Sequence, residues 1–233
     1  TKLAPEIYWA VAQQAGQLGL KVFVHQQNAA DMLDLITAGV DGFLHGRIGS
    51  AFTDDLVSRA ARSDVFVIPN LGLGELRREA IGEDNFLVPF LSKALRESLS
   101  ASATRQAQPE REAVDESELI AGFARIEAGG LDLVLGTDAG AVPGHPFGYT
   151  GHRELEIYVR LGMSPMDALL SATSLAAKHL GLDGLGLLKL GKQASLVILN
   201  SDPTSDIRST RDIHSVYLNG QRINRRAIAS RTP

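Results

Sequence analysis

The sequence predicts an α/β fold in which a βα unit repeats four times and a small β element follows. Three observations carry this. Lys21–His25, Val40–His45, Val65–Ile68 and Leu131–Leu135 are short, almost wholly apolar runs, as expected of strands covered on both faces in a parallel sheet. The stretches before and between them carry apolar residues at helical spacing. Beyond Gly181, glycines at 184, 186 and 191 break that spacing and β-rich runs take over.

The elements follow in order. Pro5 to Leu18 reads as a helix with Ile7, Val11 and Leu18 on one face, Pro5 near its start and Gly19 at its stop. Asn28 is placed to cap a second helix, whose Ala29, Met32, Leu33 and Ile36 keep the helical period up to Gly39. Thr53 caps a third helix through about Arg62, and the third strand ends at Pro69. An insertion from about Leu71 to Ser117 holds a predicted helix over Phe86–Leu99 and the polar stretch RQAQPEREAVDESE. Connections in βα units usually run to about 2–6 residues, so the insertion reads as a lid or substrate-binding element. A helix over Glu116–Ala128 stops at Gly129-Gly130 and delivers the fourth strand, which runs into Gly136-Thr137-Asp138. Two more helices precede Gly181, the second opening with Ser164-Pro165-Met166-Asp167, a cap, a first-turn proline and a dipole-matched acid. In the tail, Ser195–Leu199 and Val216–Ile223 are β-rich, and Asn219-Gly220 marks a hairpin.

Composition narrows the classes of function. A chain of 233 residues that is 44% hydrophobic can bury a large core as one large domain or two small ones. The net charge is −4 with both signs interspersed, so nothing favours a nucleic-acid partner. Arg222, Arg225, Arg226 and Arg231 lack interleaved aromatics and read as a solvated tail. No apolar run approaches the ~20 residues of a membrane span, and no signal-peptide pattern opens the chain. No membrane partner is expected. The cytoplasm is the expected compartment, with any signal peptide lying in a preceding segment. The chain opens on Thr1 rather than Met and runs straight into a helix, which leads us to expect a part of something longer. With no cysteine, metal chemistry falls to His, Asp and Glu.

Ends of strands in parallel barrels face the mouth where the βα loops gather. Two of the four strands end in histidine, His25 and His45, and a third runs into Asp138. Twenty residues separate the histidines, about one βα repeat, so a divalent metal held by His25, His45 and Asp138 is the simple explanation. From topology alone, histidines that serve packing and hydrogen bonding remain an equal reading. Two imidazoles and a carboxylate suit zinc with a position left open for water, whose pKa falls from ~15.7 to about 7 on the ion. An adjacent aspartate can take the proton of that water and hand it to a leaving amine. His145 and His152, in GAVPGHPFGYTGH, lie close enough in sequence to bind substrate or shuttle a proton; loop stabilisation is the alternative. His179 and His214 read as structural. Gly72-Leu-Gly74 lacks a phosphate-binding pattern and reads as a hinge to the insertion.

Four segments in order, KVFVHQQNAADMLDLITAGVDGFLHG, VLGTDAG, GHRELEIYVRLGMSPMDALLSATSLAAKHLGL and LGKQASLVILNSDP, resemble the amidohydrolase superfamily, nearest its imidazolonepropionase and prolidase-like branch. The resemblance implies a (β/α)8 TIM-like barrel beside a small β-sandwich, with one or two divalent metals, most simply zinc, and hydrolysis of C–N bonds. His25 would be the strand-five ligand, His45 the strand-six ligand and Asp138 the strand-eight ligand and general base. The loops of Asn70 and His152 would contact substrate. This chain would then supply strands 5–8 over residues 1–182, with the insertion at about 71–117, and a β-sandwich portion over 183–233. The family's strand-one HxH pair and strand-four bridging residue have no counterpart here, and Ser195 and Asn200 stand where the family places acids.

Four parallel strands leave two open edges and an uncovered inner face. The expected partners are therefore a missing N-terminal half or a second copy of the chain, besides a small amide, cyclic amide or dipeptide-like substrate. An oligomer follows, and the isolated chain should turn over little. Two other readings compete: a non-catalytic half-barrel or remnant, and a phosphate-handling barrel of another family.

Overall fold

The computed structural model describes residues 2–26, 28–45, 48–75, 81–105, 115–141 and 144–229. In chain order these form α1 (Pro5–Gln17), β1 (Phe23–His25), α2 (Met32–Ala38), β2 (Gly42–Leu44), α3 (Asp54–Arg62), β3 (Phe66–Ile68), α4 (Gly72–Glu75), α5 (Lys93–Arg105) and α6 (Glu116–Gly129). They continue with β4 (Asp132–Leu133), α7 (Tyr149–Arg160), α8 (Pro165–Ser171), α9 (Ser174–Leu180), β5 (Leu196–Leu199), β6 (Ile213–Leu218), β7 (Gln221–Arg222) and α10 (Arg225–Ala229). No helix among the described residues is long and apolar enough to cross a membrane. The chain divides into two compact units: residues 1–70, 114–135 and 161–163 in the first, the remainder in the second.

The first unit is a parallel sheet in the order β1-β2-β3-β4, in register His25↔Leu44, Leu44↔Ile68 and Phe66↔Asp132. Phe43, Val67, Met32, Val57 and Ala60 are fully buried, and Phe66 and Ile126 nearly so. Capping sets the helix starts. The Leu56 N–H donates to Thr53 Oγ1 at 3.3 Å, and acids open α3 while arginines close it, as its dipole favours. Asn28 sits before a 3₁₀ turn over Ala29–Asp31 and makes no side-chain cap bond, so the regular helix starts three residues later than the sequence predicts. Close approach dictates Gly42, since a Cβ there would lie 2.4 Å from the Phe66 ring. On α1, the predicted apolar face is present but uncovered: Ile7, Val11 and Leu18 are 50–63% exposed.

The second unit contains residues 71–75 and 81–105 of the insertion, α7 to α10 and an antiparallel sheet ordered β5-β6-β7. Ile81, Leu87 and Leu99 from the insertion bury a cluster with Tyr149 of α7. The predicted helix over 86–99 is displaced: Pro89 sits in a 3₁₀ turn over Val88–Phe90, and Ser92 Oγ accepts the Leu95 N–H at 3.3 Å to start α5. Leu91 leaves that turn with extended backbone (φ −111°, ψ 136°), which separates it from α5. Ser164 caps α8 as the sequence indicates, accepting the Asp167 N–H at 3.1 Å. The helix leading to Gly181 is broken in two. Ser171 and Thr173 hydroxyls donate back to the Ala168 and Leu169 carbonyls at 2.7 and 2.6 Å, and the backbone leaves the helix at Thr173. Asn219 and Gly220 close the β6–β7 hairpin at φ 51° and 80°, a pairing in which both turn residues must adopt positive φ.

Candidate metal centre

His25 is the last residue of β1 and His45 the first beyond β2. Their ring centroids lie 4.5 Å apart with planes tilted by 51°. His45 takes φ 60°, leaving the pleat of its strand, and its N–H donates to the Ile68 carbonyl at 2.8 Å. A second bond comes from Asn70, whose Nδ2 is 3.0 Å from His45 Nδ1. Asn70 is itself at φ 51° and 8% exposed. One end of the first unit's sheet thus gathers two imidazoles and a carboxamide. At the other ends of β3 and β4, Asp64 and Asp132 bring carboxylate oxygens within 4.8 Å of each other. Strand direction separates this pair from the histidines.

Asp138 belongs to the second unit, exposed at φ 53° in the turn after β4. Its carbonyl accepts the Ala141 N–H at 3.2 Å, and Thr137 Oγ1 accepts the Ala139 N–H at 3.2 Å. His145 is buried beneath this turn: its Nδ1 lies 3.4 Å from the Asp138 carbonyl and its own carbonyl accepts the Gly140 N–H at 2.9 Å. His45, Asn70 and Asp138 all occupy the left-handed region, where His, Asn and Asp are the non-glycine residues most often found. Such conformations cluster at functional sites.

His152, on α7, pairs its Nδ1 with Thr210 Oγ1 at 3.0 Å and takes the Phe86 ring edge-on at 5.1 Å. Burial first, then the charges of Arg211 and Arg225, push its pKa down to about 4, so the ring is neutral at pH 7. Around it runs a polar network. Tyr149 donates to Asp84 at 3.0 Å, and Arg211 reaches Glu156 at 2.6 Å and Asp84 at 3.6 Å. Burial and the bond to Asp84 raise the Tyr149 hydroxyl to about 12. Glu154, one helical turn before Tyr158 on the same helix, has no exposed surface. Its carboxylate accepts the Leu71 N–H at 2.8 Å and the Gly72 N–H at 2.7 Å. Sequence reading missed this residue, because nothing local marks a carboxylate whose partners lie more than eighty residues away.

Comparison with known proteins bears on the family and the fold. Residues 4–223 match the amidohydrolase family. A search of curated proteins finds no match. Among solved structures, a Xaa-Pro dipeptidase with methionine bound in its active site is 27% identical with a TM-score of 0.69, over 96% of this chain and 49% of that one. A putative prolidase from Bifidobacterium longum is 29% identical with a TM-score of 0.68, over 96% and 52%. Phenylurea hydrolase B, at 20% identity and a TM-score of 0.67 over 99% and 49%, shares the fold. The chain spans about half the length of the solved relatives it matches. With a family match that runs from α1 through β7 and a parallel α/β sheet like that of its barrel relatives, this chain belongs to the amidohydrolase family.

Proposed function

We propose that the chain is the strand 5–8 half of a metal-dependent hydrolase cleaving C–N bonds of small amide or dipeptide-like substrates, its site completed by a further half-barrel. The observation that carries the reading is the His25–His45 pair, two imidazoles 4.5 Å apart at the same end of adjacent parallel strands in a member of the amidohydrolase family. The donor types fit the group the family implies, since imidazole and carboxylate ligands suit zinc and similar divalent ions. His25, His45 and Asp138 would hold it. When bound, such an ion supplies Lewis acidity and makes water a nucleophile near neutral pH.

The remaining chemistry belongs to side chains. Asp138 takes the proton from the attacking water and returns it to the departing amine, a role its exposed carboxylate suits. Neutral His152 and buried His145 shape the substrate side, as does Asn70. Relatives described as a Xaa-Pro dipeptidase and a putative prolidase support a dipeptide-like substrate. The test is zinc titration and turnover of a dipeptide and amide panel by this chain alone and with the N-terminal half of a relative. Zinc uptake lost in His25→Ala and His45→Ala supports the reading. A complemented protein that takes up no zinc leaves the non-catalytic half-barrel instead.

A further inference from the structure

β3 and the residues after it hold His45 at two points, by the Ile68 carbonyl on its N–H and by Asn70 on its ring. Both His45 and Asn70 lie at positive φ, so the strand pleat dictates neither side chain's direction. Their contact does. A neutral imidazole has one N–H and one lone pair, and the partner of one nitrogen decides the state of the other.

The Asn70 carboxamide can face His45 in either of two ways, related by a half-turn that exchanges Oδ1 and Nδ2 at nearly the same positions. With Nδ2 toward the ring, it donates to Nδ1, the ring proton moves to Nε2, and His45 has no lone pair left for a cation. With Oδ1 toward the ring, it accepts from Nδ1–H and the lone pair stands on Nε2. Histidine ligands have their other ring N–H held by an oxygen acceptor in this way.

We propose that Asn70 is a positioning residue that fixes His45 as the Nδ1–H tautomer through Oδ1, presenting Nε2 as the donor atom. The reason for this orientation rests on His45 being a ligand, but the tautomer is measurable without any ion. Glu154 secures the chain just beyond: its two bonds to Leu71 and Gly72 hold the residues that follow Asn70 in sequence.

The test is long-range ¹H–¹⁵N correlation on the ¹⁵N-histidine-labelled chain near pH 8.5, about two units above the ordinary imidazole pKa. The His45 signals are assigned by their loss in His45→Gln. The wild-type chain should show Nδ1–H with an unprotonated Nε2. Asn70→Asp, which can only accept, should keep that pattern. Asn70→Gly, which tolerates the backbone conformation but has no amide, should lose it and bind zinc about 10–100-fold more weakly in the complemented protein. An Nε2–H tautomer in the wild type or in Asn70→Asp, or an unchanged pattern in Asn70→Gly, overturns the proposal. Zinc titration of the complemented wild type is scored separately: no uptake with the tautomer intact removes the ligand reading and leaves the Asn70 assignment standing.

Discussion

Glu154 holds Gly72 by its main chain: a carboxylate with no exposed surface accepts the Gly72 N–H at 2.7 Å while its second oxygen serves Leu71. Hydrogen bonds to a charged acceptor contribute about 1.5–3 kcal/mol each. Glu154→Gln keeps the shape but turns an NH2 toward one of the two donors. It should lower the unfolding free energy by about 2 kcal/mol. Urea melts of the variant should show an earlier midpoint with an unchanged slope.

The pH response of stability should carry the signature of His152. Its folded pKa of about 4 lies below the ordinary 6.5, so between those values the unfolded chain binds the extra proton. Stability attributable to this ring is therefore intact above pH 6.5 and is lost as pH falls toward 4. His152→Gln, which can still bond Thr210, should flatten that part of the profile by about one proton. Unfolding free energies between pH 4 and 7.5 decide it; equal slopes for both proteins would count against a buried neutral ring.

Exposed Ile7, Val11 and Leu18 on α1 should make the chain self-associate. Val11→Glu with Leu18→Glu should return it to the mass of a single chain in size-exclusion chromatography with light scattering. The same double substitution should weaken pairing with a complementing half-barrel if α1 borders that junction.

The β6–β7 turn places Gly220 at φ 80°. A β-branched residue there should cost about 1–2 kcal/mol. Gly220→Val should therefore melt earlier, with a smaller loss for Gly220→Asn, as thermal unfolding followed by circular dichroism will show.

Local chemistry made much of the fold readable. Thr53 and Ser164 act where they stand, through bonds to N–H groups three positions on, and Asn219-Gly220 acts through its own positive-φ backbone; the structure places caps and hairpin there. The four apolar runs became the four parallel strands: β2 and β3, in the middle of the sheet, are mostly buried, while β1 at its edge leaves Phe23 and His25 exposed. Failures arose where a neighbour outvoted periodicity. A separate 3₁₀ turn ending at extended Leu91 delayed α5, back-bonded hydroxyls split the helix before Gly181, and Asn28 preceded a 3₁₀ turn instead of capping. At the candidate site, the sequence brought His25 and His45 to notice through strand position. The pairing of Asn70 with His45 and the reach of Glu154 to Gly72 depend on left-handed backbone and on distant contacts, which spacing does not encode.

Sheet order also bears on how the chain folds. β1, β2 and β3 are joined by single helical crossovers, whereas the chain from Ile68 to Asp132 is about threefold longer than that from Leu44 to Phe66. Closing the longer span adds about 1 kcal/mol of chain entropy before β4 gains any pairing. Strand β4 should dock last, and pulse-labelled amides at Val134 should gain protection after those at Phe43. During that interval β3 presents an unsatisfied edge, so crowded refolding is when this chain is most exposed to pairing with the wrong molecule.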